Sequence, residues 1–235
     1  MRLAFLLLLA GTAMAADLVL IVHKRADSVG IYDDATGASV ATIPVGVKPH
    51  EMALTADRKF LFVTNYGLDS YSSNDAGGNT ISVVDIAARK VTATIDLGRY
   101  RRPHGIERGT SGRLYVSTEM PAALHIIDPA ERKVIRSIDT PGKLPHMIAV
   151  SEDETRAYLA NAGSGTVTVV DLKSGGTAQT KVGGVPMGLA LSSDGYRLYV
   201  TTRGANLIAL ISTDMMNVVH RIELKGQPAR AHLVN

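Results

Sequence analysis

The sequence predicts an all-β propeller of four-stranded blades, with five blades visible. Three observations predict it: an internal repeat, period-2 alternation inside each copy, and chain ends that complement one another. Prolines mark the copies. Pro49, Pro103, Pro145, Pro186 and Pro228 fall 54, 42, 41 and 42 residues apart. The long first interval is explained by LDSYSSNDAGGN, inserted between Tyr66 and Thr80, where other copies carry a few residues.

Taken in order, the stretch ADLVLIVHKRADSVGIYDDATGASVATIPVG aligns with the second, third and fourth strands of a copy and lacks the first. The next copy joins KPHEMALTADRKFLFVTNYG to NTISVVDIAARKVTATIDLG. Copies beginning RPHGIERG, LPHMIAVS and VPMGLALS follow, and GQPARAHLVN aligns with a first strand alone. Within copies, Thr80-Ile81-Ser82-Val83-Val84-Asp85 and Thr166-Val167-Thr168-Val169-Val170-Asp171 alternate polar with β-branched residues, the signature of half-buried strands. Ser193-Asp194-Gly195, Gly109-Thr110-Ser111-Gly112 and Ala162-Gly163-Ser164-Gly165 supply turn chemistry. Three strands at the start and one at the end complete a fifth blade and close the ring, removing an exposed edge. The alternative is a shortened seven-bladed propeller whose ring stays open or needs a partner chain. Phe62, Val116, Leu159 and Val200 are expected between the blades.

The first fifteen residues, MRLAFLLLLAGTAMA, set one Arg before an apolar run and end in Ala13-Met14-Ala15. That is the pattern of a cleaved signal peptide, too short to span a bilayer. The expected organisation is therefore a signal peptide over 1–15 and one propeller domain over 16–235, in the periplasm or secreted, with no membrane span after cleavage. The chain has no cysteine, which removes disulfides, thiolate metal sites and thiol nucleophiles. A formal charge of +3, spread along the chain, is no nucleic-acid footprint. The densest basic run, Arg99-Tyr100-Arg101-Arg102, reads as a solvated loop.

The strings FLFVTNYG, RLYVST, AYLANAG and RLYVTTRG, each followed by a strand of the TISVVD kind, resemble the YVTN-type repeat of exported YncE-like β-propellers. Pro186-Met187-Gly188-Leu189-Ala190-Leu191-Ser192-Ser193-Asp194-Gly195 is the closest match to that family's blade start. The resemblance covers essentially the whole chain after the leader and implies the propeller fold. It is weak for function, because such repeats occur in binding proteins, in cofactor-bearing subunits of periplasmic oxidoreductases and in lactonase-like hydrolases. Members usually have seven blades.

The sharpest local feature follows the blade-start proline: His50, His104 and His146, then Met187, then Ala229. Three imidazoles and a thioether at one channel mouth could bind copper or zinc. The competing expectation is that these histidines hydrogen-bond neighbouring blades. Glu51, Glu107, Arg108 and Arg230 are expected near the same mouth, and a Glu and an Arg converging there would suit a lactonase-like site. Asn65, Asn161 and Arg203 sit at the corner after the second strand, either lining a cleft or satisfying loop backbone. The inserted loop, flanked by Tyr66 and carrying Tyr71, offers recognition chemistry on a rigid scaffold. Tyr66, Tyr71, Arg108 and Arg203 are thus the expected ligand-binding residues. No nucleophile elbow, phosphate loop or zinc-protease helix appears. The sequence therefore favours a non-catalytic exported scaffold without a cofactor, binding an unidentified ligand or periplasmic protein. The alternatives are a metal- or cofactor-bearing, oxidoreductase-associated propeller and a hydrolase.

Overall fold

The computed structural model describes residues 17–232. The expected signal peptide lies outside the described residues. Among the described residues nineteen strands form five antiparallel sheets in chain order. The first holds β1 (Leu18–His23), β2 (Ser28–Asp33) and β3 (Ser39–Pro44), with one 3-10 turn at Lys24–Ala26. The second holds β4 (Pro49–Leu54), β5 (Phe60–Asn65), β6 (Thr80–Asp85) and β7 (Lys90–Asp96). In the third, β8 (Arg101–Arg108), β9 (Leu114–Met120), β10 (Ala122–Asp128) and β11 (Lys133–Asp139) pair in sequence. The fourth comprises β12 (Pro145–Val150), β13 (Arg156–Asn161), β14 (Thr166–Asp171) and β15 (Thr177–Lys181). The fifth comprises β16 (Val185–Leu191), β17 (Arg197–Arg203), β18 (Leu207–Ser212) and β19 (Asn217–Glu223). Among the described residues no helix is long and apolar enough to cross a membrane.

The core lies between sheets, as in a propeller. Phe62, Ile81 and Val83 of the second sheet pack against Leu114, Val116 and Ile127 of the third. Equivalent clusters join the first sheet to the second, the third to the fourth and the fourth to the fifth. Phe62, Val116, Leu159 and Val200, assigned to this core from sequence, are all wholly buried.

The terminal arrangement differs in detail from the expected three-plus-one blade. The first sheet has its three strands, but residues 224–232 form no strand. They run beside β16 instead. A side chain on Gly188 would meet Ala229 O, Arg230 Cα and Ala231 N, just as one on Gly105 would meet His146 O, Met147 Cα and Ile148 N. The segment therefore sits where the inner strand of a following blade belongs, and the missing Cβ at Gly188 admits it.

Each inner strand begins the same way. Pro49, Pro103, Pro145 and Pro186 pair with Asn65, Thr118, Asn161 and Thr202, and after each the register shifts. Two inner-strand residues there oppose one on the neighbour, a β-bulge that re-aims side chains. The residue before three of these prolines, Lys48, Arg102 and Leu144, has φ of 48°, 58° and 51°. That left-handed backbone costs roughly 1–2 kcal/mol at each non-glycine residue and turns the chain sharply into the channel. We call the edge carrying these bulges and the 66–79 loop the upper rim.

Candidate ligand-binding mouth

The bulges place His50, His104 and His146 side by side. Their rings stack with centroids 4.1 Å and 3.9 Å apart, tilted by 43° and 40°. Tyr66 stands edge-on to His50 and His104 at 5.4 Å and 5.3 Å. Hydroxyls on the second strand secure the bulges. Thr64 accepts from Glu51 N at 3.0 Å and lies 3.0 Å from His104 O, to which it donates. Ser117 accepts from Gly105 N at 2.9 Å and donates to His146 O at 2.8 Å. The next blade has Ala160 at this position, and there His146 Nδ1 donates to Met187 O at 3.1 Å. The three bonds to carbonyl oxygens, at His104, His146 and Met187, each join one blade to the next.

Burial governs the charge of these rings. It holds the His104 imidazole well below its ordinary range and brings His146 to about 4, with the neighbouring histidines adding to both. His104 is thus a neutral, buried imidazole, and its Nδ1 has no hydrogen-bond partner. Glu51 faces His50 and pairs with Arg230. Burial opposes its charge, but hydrogen bonds from His50 and Arg230 keep its carboxyl below the usual range.

A second ring surrounds the first. The strand registers bring Lys24, Tyr66, Glu119, Ala162 and Arg203 to one corner position in successive blades. Lys24 Nζ lies 5.0 Å from the Tyr66 ring centroid, and Tyr66 donates to Glu119 at 2.9 Å. Arg102 Nη1 stands 3.6 Å from the same carboxylate, with both side chains almost wholly buried. Burial nevertheless raises Glu119 to about 7, against the Tyr66 hydrogen bond and the Arg102 charge, and pushes the Tyr66 phenol up. Arg102 also donates to the carbonyls of Ser73 and Asp75 at 2.8 Å and 2.6 Å. The inserted loop is therefore fastened to the third blade. Its neck closes where Gly67 meets Gly78, and Gly78 O accepts from Arg102 N at 2.7 Å.

The expected site residues separate into groups. His50, His104 and His146 come together as expected, while Met187 meets them through its backbone oxygen. Among the described residues no set of three or more His, Cys, Asp or Glu stands arranged to hold a metal ion. Tyr66 is buried beneath the mouth, Tyr71 is half exposed on the loop, and Arg203 donates to Gln227 at 2.9 Å on the same rim. Arg108 is not at this mouth. At about 3.3 Å per residue β8 crosses the disc, so Arg108 lines a cleft on the opposite, lower rim. Asn65 and Asn161 are buried, and each donates to two hydroxyls on the next strand.

Arg102 corrects the solvated-loop reading of the basic run, being 3% exposed. Neither it nor Glu119 was singled out from sequence. The available signal was an insertion in one blade beside a charge of each sign at corner positions of the next.

Residues 10–186 match the model of the Choice-of-anchor I domain family. The chain is 27% identical over 160 residues to Antigen Lp49 of Leptospira interrogans, covering 68% of this chain and 34% of the antigen. It is 23% identical over 242 residues to a seven-bladed β-propeller protein of Mycobacterium tuberculosis, covering 88% of this chain and 60% of that protein. With YncE of Salmonella typhimurium it shares 25% identity over 183 residues, covering 74% and 51%. The chain thus spans between about a third and three fifths of these relatives' lengths. Virginiamycin B lyase of Staphylococcus aureus superposes with a TM-score of 0.74 at 16% identity, covering 93% of this chain and 71% of that one, which shows a shared fold.

Proposed function

The chain belongs to the choice-of-anchor I domain family, with a YncE-like β-propeller repeat, and on that premise we propose that it is an exported, non-catalytic scaffold binding a ligand or partner protein at its upper rim. The observation that carries this reading is the fastening of the inserted loop by buried Arg102 beside the histidine mouth. A loop held in one shape loses little entropy on binding. Exposed Tyr71 then stands as a ready contact. The polar groups around the mouth supply little for chemistry, since Glu51 is paired with Arg230 and Tyr66 with Glu119. The export part of the reading rests on the leader pattern in the sequence and on likeness to an antigen.

The test is a screen of peptides, oligosaccharides and organic acids by ligand-observed NMR, against wild type and Tyr71→Ala. We expect at least one class to bind and to weaken tenfold or more in the variant, with no product formed. Turnover of a bound compound, or binding untouched by the substitution, refutes the reading.

One observation favours a second reading, copper or zinc held by His50, His104 and His146 near Met187. The buried Nδ1 of His104 lacks a partner, and an unpaired buried nitrogen calls for an explanation. Metal analysis of the purified chain beside a His50→Ala, His104→Ala, His146→Ala variant decides it. About one equivalent, lost in a folded variant, supports the metal; none after incubation with copper and zinc rejects it.

A further inference from the structure

Two cavities meet at Glu107 and Leu191 on the far side of the disc. A cleft of about 660 Å³ opens on the lower rim between the third, fourth and fifth sheets, and a second cavity of about 310 Å³ continues into the channel. Both volumes are those of small-molecule sites. Glu107 and Leu191 line both.

Glu107 stands out from the repeat. Four residues after the blade-start proline the other three full blades carry Ala53, Ala149 and Ala190, while the terminal segment carries His232. Its carboxyl is partly buried, and its one hydrogen bond is a long 3.4 Å contact from Val150 N. Burial raises it to about 7, and no neighbouring cation counters that. Arg108, the next residue, is exposed, and Arg156 in the cleft is engaged with Thr213 O at 2.7 Å. Asp153 and Asp194 on the rim are tied up by their own turns. A lone carboxyl replacing alanine thus sits at a junction whose inner side carries an apolar wall of Ile148, Leu189, Ala190 and Leu191, with Arg230 and His232 of the terminal segment also lining it.

From this geometry we propose a second binding site, opening on the lower rim, for a small aliphatic amine. Its ammonium group pairs with Glu107 and its methylenes lie in the channel cavity. The ammonium supplies the missing counter-charge, and the tail covers apolar surface that a hydrated inorganic cation would leave wet. General attraction for cations is not the cause, because the whole chain carries a formal +3.

Isothermal titration of the full chain with n-hexylamine tests the proposal, with 1-hexanol as the uncharged probe and a lysine-containing peptide as a macromolecular one. We expect millimolar or tighter hexylamine binding, at least tenfold weaker in both Glu107→Ala and Glu107→Gln, and unchanged in Tyr71→Ala. Alanine is the residue of the other blades, so the first variant should fold, and the second keeps the shape without the charge. Three results overturn the site: no binding by wild type, equal binding by both variants, or hexanol binding as well as the amine. Tighter binding of the peptide than of hexylamine overturns the small-ligand assignment.

Discussion

The two rims of the disc secure their hairpins in opposite ways. On the upper rim the links run between blades: Thr64 to His104 O, Ser117 to His146 O, Tyr66 to Glu119, and His146 to Met187 O. On the lower rim the turns mostly close on themselves. Thr55 with Asp57, Ser151 with Asp153 and Ser192 with Asp194 each bind backbone within the same hairpin. Links between blades occur there too: Glu152 and Glu154 of the fourth blade hold the Gly109–Gly112 turn of the third, Arg136 donates to Leu172 O and Arg156 to Thr213 O. The upper links around the mouth therefore form a network, whereas the Thr55, Ser151 and Ser192 turns below are local parts. A change above should be felt across blades, whereas one below should stay in its hairpin.

The largest expected effect comes from Arg102→Met. It strands the buried Glu119 carboxylate and frees the Ser73 and Asp75 carbonyls. Breaking a buried pair from one side costs about 3–5 kcal/mol. Denaturant unfolding should show that loss, and limited proteolysis should newly cut within 68–76. A variant cut no faster than wild type would mean the loop is held by other contacts.

Next comes Glu107→Ala, which probes the lower side's unpaired charge. Burial lifts this carboxyl to about 7 from the 4.5 of a free glutamate. The folded state thus holds the proton more tightly than the unfolded one. Its contribution is present below pH 4.5 and is lost as pH rises through 7. The penalty at higher pH is about 3 kcal/mol. Relative to wild type the variant should gain stability as pH rises from 4.5 to 8 in parallel melts. A difference that does not change with pH would show that the carboxyl titrates normally. The histidines act in the opposite sense, because His146, lowered to about 4, favours the folded state above pH 6.5 and withdraws that support as pH falls toward 4.

Most of the architecture was legible in the sequence because propeller repeats encode their strands locally. The spacing of Pro103, Pro145 and Pro186, the alternation in TISVVD and TVTVVD, and core positions such as Phe62 and Val200 all depend on residues a few places apart. The histidine stack was legible for the same reason, since equivalent positions in adjacent copies must be neighbours. The fastening of the loop was not, because Arg102 lies 29 residues from the Ser73 carbonyl it binds, and nothing local tells a buried arginine from a solvated one. Arg108 was misplaced to the histidine mouth because four residues of strand, small in sequence, carry it across the disc.

The smallest effects sharpen the comparison most directly, because one hydroxyl can be deleted on either rim. Ser117→Ala leaves Gly105 N and His146 O without their partner inside the upper network. Stranding buried groups costs about 1–3 kcal/mol. Ser192→Ala removes the hydroxyl that accepts from Arg197 N in an exposed turn, where water can replace it, and about 0.5–1 kcal/mol is expected. Coupling should differ as well. Ser151→Ala combined with Ser192→Ala should add within about 0.5 kcal/mol, as independent sites do. Thr64→Ala combined with Ser117→Ala should depart from additivity by more than that, because both act on the His104-Gly105 bulge. Additive upper pairs in such a double-mutant cycle would reduce the network to a row of separate hydrogen bonds and erase the distinction between the rims.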